Sequence, residues 1–203
     1  KTDINTITGI RDFGVYKVSP KAFENKFLFI YQTRDDANNL YKYLKNGFKH
    51  FPGLERYVGL PVTLDLDNRL NYTNVDSLRK EFDEFLAVKL VDNDYDNLFA
   101  IIISPFNRQD SEEVESDLYY YIKEKLLHKG IPSQFISYQN IRNSNSFHFH
   151  LPNIAIGMLA KLGGIPWRLK NNVYNELIIG FNQVKNKNEK FIGSSVFFTN
   201  EGL

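Results

Sequence analysis

Leu98-Phe99-Ala100-Ile101-Ile102-Ile103 is an unbroken apolar run with no polar side. A half-buried strand alternates apolar and polar residues. A continuous run belongs to the centre of a parallel sheet covered by helices on both faces. The residues on its C-terminal side agree. Residues 116–128 carry helical spacing, Gly130-Ile131-Pro132 supplies a stop and a turn, and residues 134–138 read as the next strand. Strand, helix, strand at these lengths is a βαβ unit with a right-handed crossover.

Working outward, Lys26-Phe27-Leu28-Phe29-Ile30-Tyr31 is a second run of buried-strand type. Residues 34–51 come next, with helical spacing through Leu40, Tyr43, Leu44 and Phe48, ending at Pro52-Gly53. Val62-Thr63-Leu64 reads as another strand. Asp76 reads as the N-cap of a helix through Leu78, Phe82, Phe85 and Leu86, with Glu81 and Glu84 on its polar side. The alternation predicts an α/β fold over residues 21–170, a Rossmann-like parallel sheet flanked by helices. Residues 1–20, with Gly9, Gly14 and Pro20, read as a linker or packed lead-in. After Trp167 the character changes. Residues 177–180 and 191–198 are strand-like and joined by a lysine- and asparagine-rich turn, so 171–203 reads as a β-hairpin. A bare hairpin edge is a liability, and the expectation is that 171–203 opens a further, truncated domain of a larger protein.

Composition narrows the classes. The 203 residues are 42% hydrophobic and 15% aromatic, enough to bury a core, which excludes a disordered chain. The formal net charge of +1 gives no broad basic sheath, so any nucleic-acid binding must come from locally gathered lysines and arginines. With no cysteine there are no disulfides and no thiolate metal sites. No stretch of about 18 apolar residues is present to span a membrane, and a soluble cytoplasmic protein without membrane partners is expected.

Four polar side chains stand out against this apolar background. Tyr119 and Lys123, four apart, share a helix face. Gln134 comes after the Gly-Ile-Pro turn, at the mouth of a strand. Lys161 ends the apolar stretch Asn153-Ile154-Ala155-Ile156-Gly157-Met158-Leu159-Ala160, one turn after Gly157 and two after Asn153. Two lysine ammonium groups and a glutamine amide suit a phosphate monoester, and a tyrosine offers a hydroxyl donor or a stacking ring, the ring of Tyr119 being expected to contribute more than its hydroxyl. Gly157 would leave room for the ligand. The plainer reading is a solvated helix face, a strand-edge amide and a snorkelling lysine.

The four residues in this order resemble the 5′-phosphate pocket of the MID domain of prokaryotic-type Argonaute proteins. The stretch Ala160-Lys161-Leu162-Gly163-Gly164-Ile165-Pro166-Trp167 is similar to the same family, and Glu176-Leu177-Ile178-Ile179-Gly180-Phe181-Asn182 resembles the opening strand of its PIWI domain. The resemblance is strongest over 119–182. It implies a MID domain at 21–170, with the first PIWI strands at 171–203. It also implies a single-stranded RNA or DNA guide anchored by Tyr119, Lys123, Gln134 and Lys161, with Asn153 toward the guide backbone. A complementary target strand, an effector protein and a role in prokaryotic defence come with the family. So does a Mg²⁺ ion at the guide 5′-phosphate in some members. The first-base loop would be 105–117, including Phe106, Asn107, Arg108 and Gln109. Cleaving members carry an aspartate where this chain has Asn182. A neutral amide is a poor Mg²⁺ ligand, which argues for a cleavage-inactive protein with no catalytic residues and no catalytic metal.

Three other patterns compete. Asp65-Leu66-Asp67 after Val62-Thr63-Leu64 resembles the nucleophile motif of Mg²⁺-dependent haloacid-dehalogenase phosphatases, but Arg69 stands where a threonine belongs. His148-Phe149-His150 would present two imidazoles from one strand face to a metal. Ser194-Ser195 lies in a glycine-flanked hairpin and lacks the strand–elbow–helix setting of a nucleophile. A scaffold that binds an effector protein is the remaining alternative.

Overall fold

The computed structural model describes residues 5–90, 95, 97–105, 113–168, 177–186 and 189–199. Four parallel strands form the central sheet: β1 (Lys26–Tyr31), β2 (Leu70–Asn71), β3 (Leu98–Ser104) and β4 (Ser133–Ser137), in the order β2-β1-β3-β4. All seven residues of β3 are buried. The apolar run is two interleaved faces, because successive side chains point to opposite sides of a strand. Phe99, Ile101 and Ile103 join Phe27 and Phe29 in one core, while Ala100 and Ile102 join Leu28 and Ile30 in the other.

Each face recruits its own helices. The first core takes Leu40 and Leu44 of α3 (Arg34–Asn46) and Leu151, Ala155, Met158 and Leu159 of α8 (Phe147–Lys161). The second takes Leu78, Phe82 and Phe85 of α5 (Val75–Lys89) and Leu118, Ile122 and Leu126 of α6 (Glu113–His128). Helices α6 and α8 therefore lie on opposite sides of the sheet and flank its edge strand β4.

Several elements depart from the sequence reading. Asn74, not Asp76, caps α5: its side chain accepts from Ser77 N at 2.9 Å, and Asn74 N donates in return to Ser77 Oγ at 3.3 Å. Helix α3 stops at Asn46 because Gly47 takes a positive φ of 88°, after which Phe48 and Phe51 bridge a tight turn. Val62-Thr63-Leu64 is reduced to a single bridge from Leu64 to Phe27, and the edge strand is Leu70–Asn71 instead. The cause is the turn after it: Asp65 Oδ1 accepts from Asp67 N and Asn68 N, both at 3.1 Å, so the chain curls away from the ladder. Two short helices, α4 (Leu54–Val58) and α7 (Tyr138–Arg142), are too brief to mark the sequence with a helical period.

The lead-in is packed. Helix α1 (Thr6–Phe13) is capped by Asn5, buries Ile10, and leads to Lys17, which pairs antiparallel with Ile165. Helix α2 (Pro20–Glu24) then delivers the chain to β1. At the far end, β5 (Leu177–Asn186) and β6 (Glu189–Thr199) form the expected antiparallel hairpin, longer than the apolar runs alone suggest, with a register shift between Asn182 and Gln183.

Phe99 is fully buried and meets Phe27 edge-on at 5.7 Å between ring centroids. Phe99→Ala should lower the unfolding free energy by about 3–5 kcal/mol. Urea titration would show this as a lower midpoint with an unchanged slope.

Candidate nucleic-acid interface

The four selected side chains lie in two pairs beside the sheet edge at β4, Lys161 with Gln134 and Lys123 with Tyr119, whose ring rests on Phe135 of β4. Alternation along β4 splits its residues between the two faces. Ile136 packs in the core under α8 and Phe135 against the core under α6. Gln134, two from Ile136, shares the α8 side and lies opposite Ile101 of β3. Lys161, the last residue of α8, reaches back to this edge. Its ammonium donates to the Ser133 carbonyl at 2.6 Å and to Gln134 Oε1 at 2.7 Å. The Gln134 amide nitrogen donates to the Phe135 carbonyl at 3.0 Å, which fixes the amide's orientation.

From the other side, α6 brings Tyr119 and Lys123 one turn apart. Lys123 Nζ donates to Tyr119 Oη at 3.3 Å and lies 5.4 Å from the centre of its ring. The Tyr119 ring also rests against Phe135 at 4.5 Å and meets Tyr120 edge-on at 5.2 Å. Tyr119 is thus half-buried with its ring engaged, and its hydroxyl proton is not used by Lys123, which is itself the donor.

The electrostatics of the edge are unfavourable as they stand. Burial, and then the positive charge of Lys123, push the Lys161 ammonium down to about 8 from an ordinary 10.5. The two cations are close enough to repel, and each donates to neutral oxygen: Lys123 to Tyr119 Oη, Lys161 to Ser133 O and Gln134 Oε1. An entering dianion would relieve both the repulsion and the desolvation. Gly157 lies beside this space: a Cβ there would sit 3.8 Å from Gln134 Oε1, an ordinary van der Waals contact. Asn153 is exposed on α8, eight residues and so about 12 Å before Lys161.

Other selected residues fall elsewhere. Phe106, Asn107, Arg108 and Gln109 lie outside the described residues. Asn182 sits on β5 opposite Ser194 of β6, at the register shift, and Ser195 pairs with Phe181. His148 and His150 belong to helix α8, not to a strand, so residues two apart point to different sides and do not form a chelating pair. His148 is buried with Nδ1 unpartnered, and burial, then Lys49 and His50, lowers its basicity. Asp65 is spent on its own turn, also accepting from Asn68 Nδ2 at 3.0 Å, and is not poised as a phosphatase nucleophile. Among the described residues no group of three acidic, histidine or cysteine side chains could hold a metal ion, and no helix is long and apolar enough to cross a membrane. Sequence reasoning misses the Ser133 carbonyl and the Phe135 ring, the one being backbone and the other looking like ordinary core.

Comparison with known proteins bears on the fold and on the sequence as a whole. A family model of the Piwi domain matches residues 111–199, a span that contains all four edge residues as well as the hairpin. A Piwi protein of Archaeoglobus fulgidus is 24% identical over 203 aligned residues, covering 97% of this chain and 42% of its own length. Over residues 111–199 the chain is similar to the Piwi domain, and the relatives it matches are Piwi and Argonaute proteins. The Argonaute of Aquifex aeolicus is 47% identical, over 53 residues that are 26% of this chain and 7% of that protein. The solved Argonaute of Methanocaldococcus jannaschii superposes with a TM-score of 0.65 at 19% identity, covering all of this chain and 29% of the other. The chain thus spans less than half the length of the Argonaute relatives it matches.

The strain at Lys161 has a measurable consequence. The unfolded chain keeps the Lys161 proton up to about 10.5, whereas the folded chain releases it near 8. Between those values the unfolded state binds more protons, so this residue makes the folded chain more stable as pH rises. Lys161→Met should flatten that part of the stability profile. Denaturant titrations of both proteins from pH 7.5 to 10.5, compared as differences, check it.

Proposed function

We propose that this chain is the guide-anchoring part of an Argonaute, a MID domain at residues 21–170 with the first PIWI strands at 171–203. It would hold the 5′-phosphate of a single-stranded RNA or DNA guide, which then pairs with a complementary target. The observation that carries the proposal is the gathering of Lys161 on Gln134 and of Lys123 on Tyr119 beside the β4 edge, close enough for the charge of Lys123 to lower the basicity of Lys161. Charged groups kept in an unfavourable arrangement point to a ligand that completes it. One of the solved relatives, an Aquifex aeolicus Argonaute with externally bound siRNA, has a TM-score of 0.59 at 20% identity and covers 96% of this chain and 26% of that one.

In this reading the two ammonium groups donate charge-assisted hydrogen bonds to the phosphate oxygens. Gln134 turns its amide nitrogen from Phe135 toward the ligand. Tyr119 gives its free hydroxyl proton, because its ring is already engaged with Phe135 and Lys123. Asn153, farther along α8, reaches the strand backbone, and the loop holding Phe106, Asn107 and Arg108 reads the first base. A Mg²⁺ ion at the phosphate finds a poor donor set here. The side-chain oxygen of Gln134 is neutral and is taken by Lys161, and both neighbours are cations. No step is assigned to a metal.

The same reading makes the protein a binder and not a nuclease, because Asn182 supplies an amide where a carboxylate would be needed to hold Mg²⁺. Target recognition would be passed to an effector protein in a cytoplasmic defence role. A full-length protein containing this chain, given guide, complementary target and Mg²⁺ or Mn²⁺, should leave the target intact. A cut opposite the middle of the guide would refute that.

Binding of a labelled single strand tests the anchor. The chain should prefer the 5′-phosphorylated form over its 5′-hydroxyl twin, and Lys123→Ala should weaken binding by about 10- to 150-fold, the loss of one charge-assisted contact of roughly 1.5–3 kcal/mol. Tyr119→Phe should cost a smaller amount, about 0.5–1.5 kcal/mol, for one neutral hydrogen bond. Affinity should also fall as pH rises through about 8, where the free Lys161 loses its proton. Equal affinity of the wild type and Lys123→Ala for the phosphorylated strand would end the proposal.

A further inference from the structure

The strand order β2-β1-β3-β4 changes direction between β1 and β3. The chain leaving β1 passes to α3 on one face, and the chain leaving β3 leads to α6 on the other. Departures to opposite sides open a crevice beyond the carboxyl ends of the two strands, which is where open α/β sheets place ligands. Here that crevice holds a cavity of about 280 Å³, on a different part of the sheet from the β4 edge.

The cavity is polar and ordered. Tyr72, 2% exposed, donates its hydroxyl to the Ile103 carbonyl at 3.1 Å. Asp36, 4% exposed, accepts a two-pronged bond from Arg142, Nε at 2.9 Å and Nη2 at 2.7 Å. The same guanidinium lies 4.5 Å from the centre of the Tyr138 ring. Arginine held flat by a fork and stacked on an aromatic ring is a planar shelf with its charge already balanced. Among the described residues lining the cavity the one cation is Arg142, already matched by Asp36, which disfavours a phosphate. Gln32, at the rim, spends one amide proton on the Thr73 carbonyl at 3.1 Å. Its second amide proton and its oxygen remain as a paired donor and acceptor, the edge that glutamine uses to read adenine. The volume lies just below the roughly 300–1,000 Å³ usual for small-molecule sites, so the occupant is small.

We propose that this crevice is a second binding site, for a neutral purine nucleobase of adenine type, stacked at the Tyr138–Arg142 shelf and paired by Gln32. The base arrives either as a free nucleoside or as a nucleotide of a strand held by the chain. The site does not depend on the phosphate anchor at β4.

Titration of the 203-residue chain with adenosine, monitored by ligand-observed NMR and calorimetry, tests this. Adenosine should bind one to one with a dissociation constant of about 10 µM to 1 mM, as expected for a ligand of this size, and ribose should not bind. Gln32 is exposed, so Gln32→Trp fills the mouth without disturbing the core. It should weaken adenosine by about tenfold or more while leaving binding of a 5′-phosphorylated oligonucleotide unchanged. Displacement of adenosine by a 5′-hydroxyl oligoadenylate would assign the base to a strand. Displacement by nucleosides alone would assign it to a free nucleoside. No saturable adenosine binding at millimolar concentration, or equal binding by Gln32→Trp, would overturn the proposal.

Discussion

Burying β3 on both faces is the constraint on which the other features depend. A strand that is apolar on each side cannot rest against water, so helices must cover it above and below, and the connections must alternate between the two layers. That requirement places α6 over one face and α8 over the other. Among the described residues the sheet ends one strand farther on, at β4. Helices α6 and α8 approach this edge from opposite sides and carry Lys123 and Lys161 near enough for their charges to interact. The candidate anchor is therefore a product of layer packing.

The same edge explains why charge is tolerated there. An unpaired strand edge presents backbone carbonyls, and Lys161 uses one of them, Ser133 O, together with Gln134 Oε1. These neutral acceptors satisfy the ammonium's hydrogen bonds without cancelling its charge. A carboxylate in place of Gln134 would neutralise Lys161 and give a quieter surface, but would repel an anion. The chain instead keeps an amide, and gives up some stability to do so.

How much of this is readable from the residues depends on how local the cause is. The six-residue run at 98–103 names the centre of the sheet, because burial on both faces leaves a direct mark in composition. Tyr119 and Lys123 are readable as a pair, since a helix brings residues four apart together. The contact between Gln134 and Lys161, 27 positions apart, leaves no local mark, and only the resemblance to a family suggests it. The loss of the strand at 62–64 comes from side-chain bonds of Asp65 to its own turn, which strand propensity does not include. His148-Phe149-His150 looks strand-like because it is aromatic and precedes Pro152. Tertiary burial of Phe147 and Leu151 makes it helical, with the proline accommodated inside α8.

The position of Lys161 on its helix sets the kind of anion site this can be. Many phosphate sites lie at helix N-termini, where free backbone N–H groups and the helix dipole attract the anion whatever the pH. Lys161 closes α8 at the opposite end, where the dipole favours a cation. This steadies the lysine, and it also means the helix backbone contributes no attraction of its own to an anion there. The pull must come from side-chain ammonium groups, and one of them already titrates at about 8. An anchor built in this way is tunable by proton uptake in a manner that a backbone cradle is not, because ligand and proton stabilise each other at the same lysine.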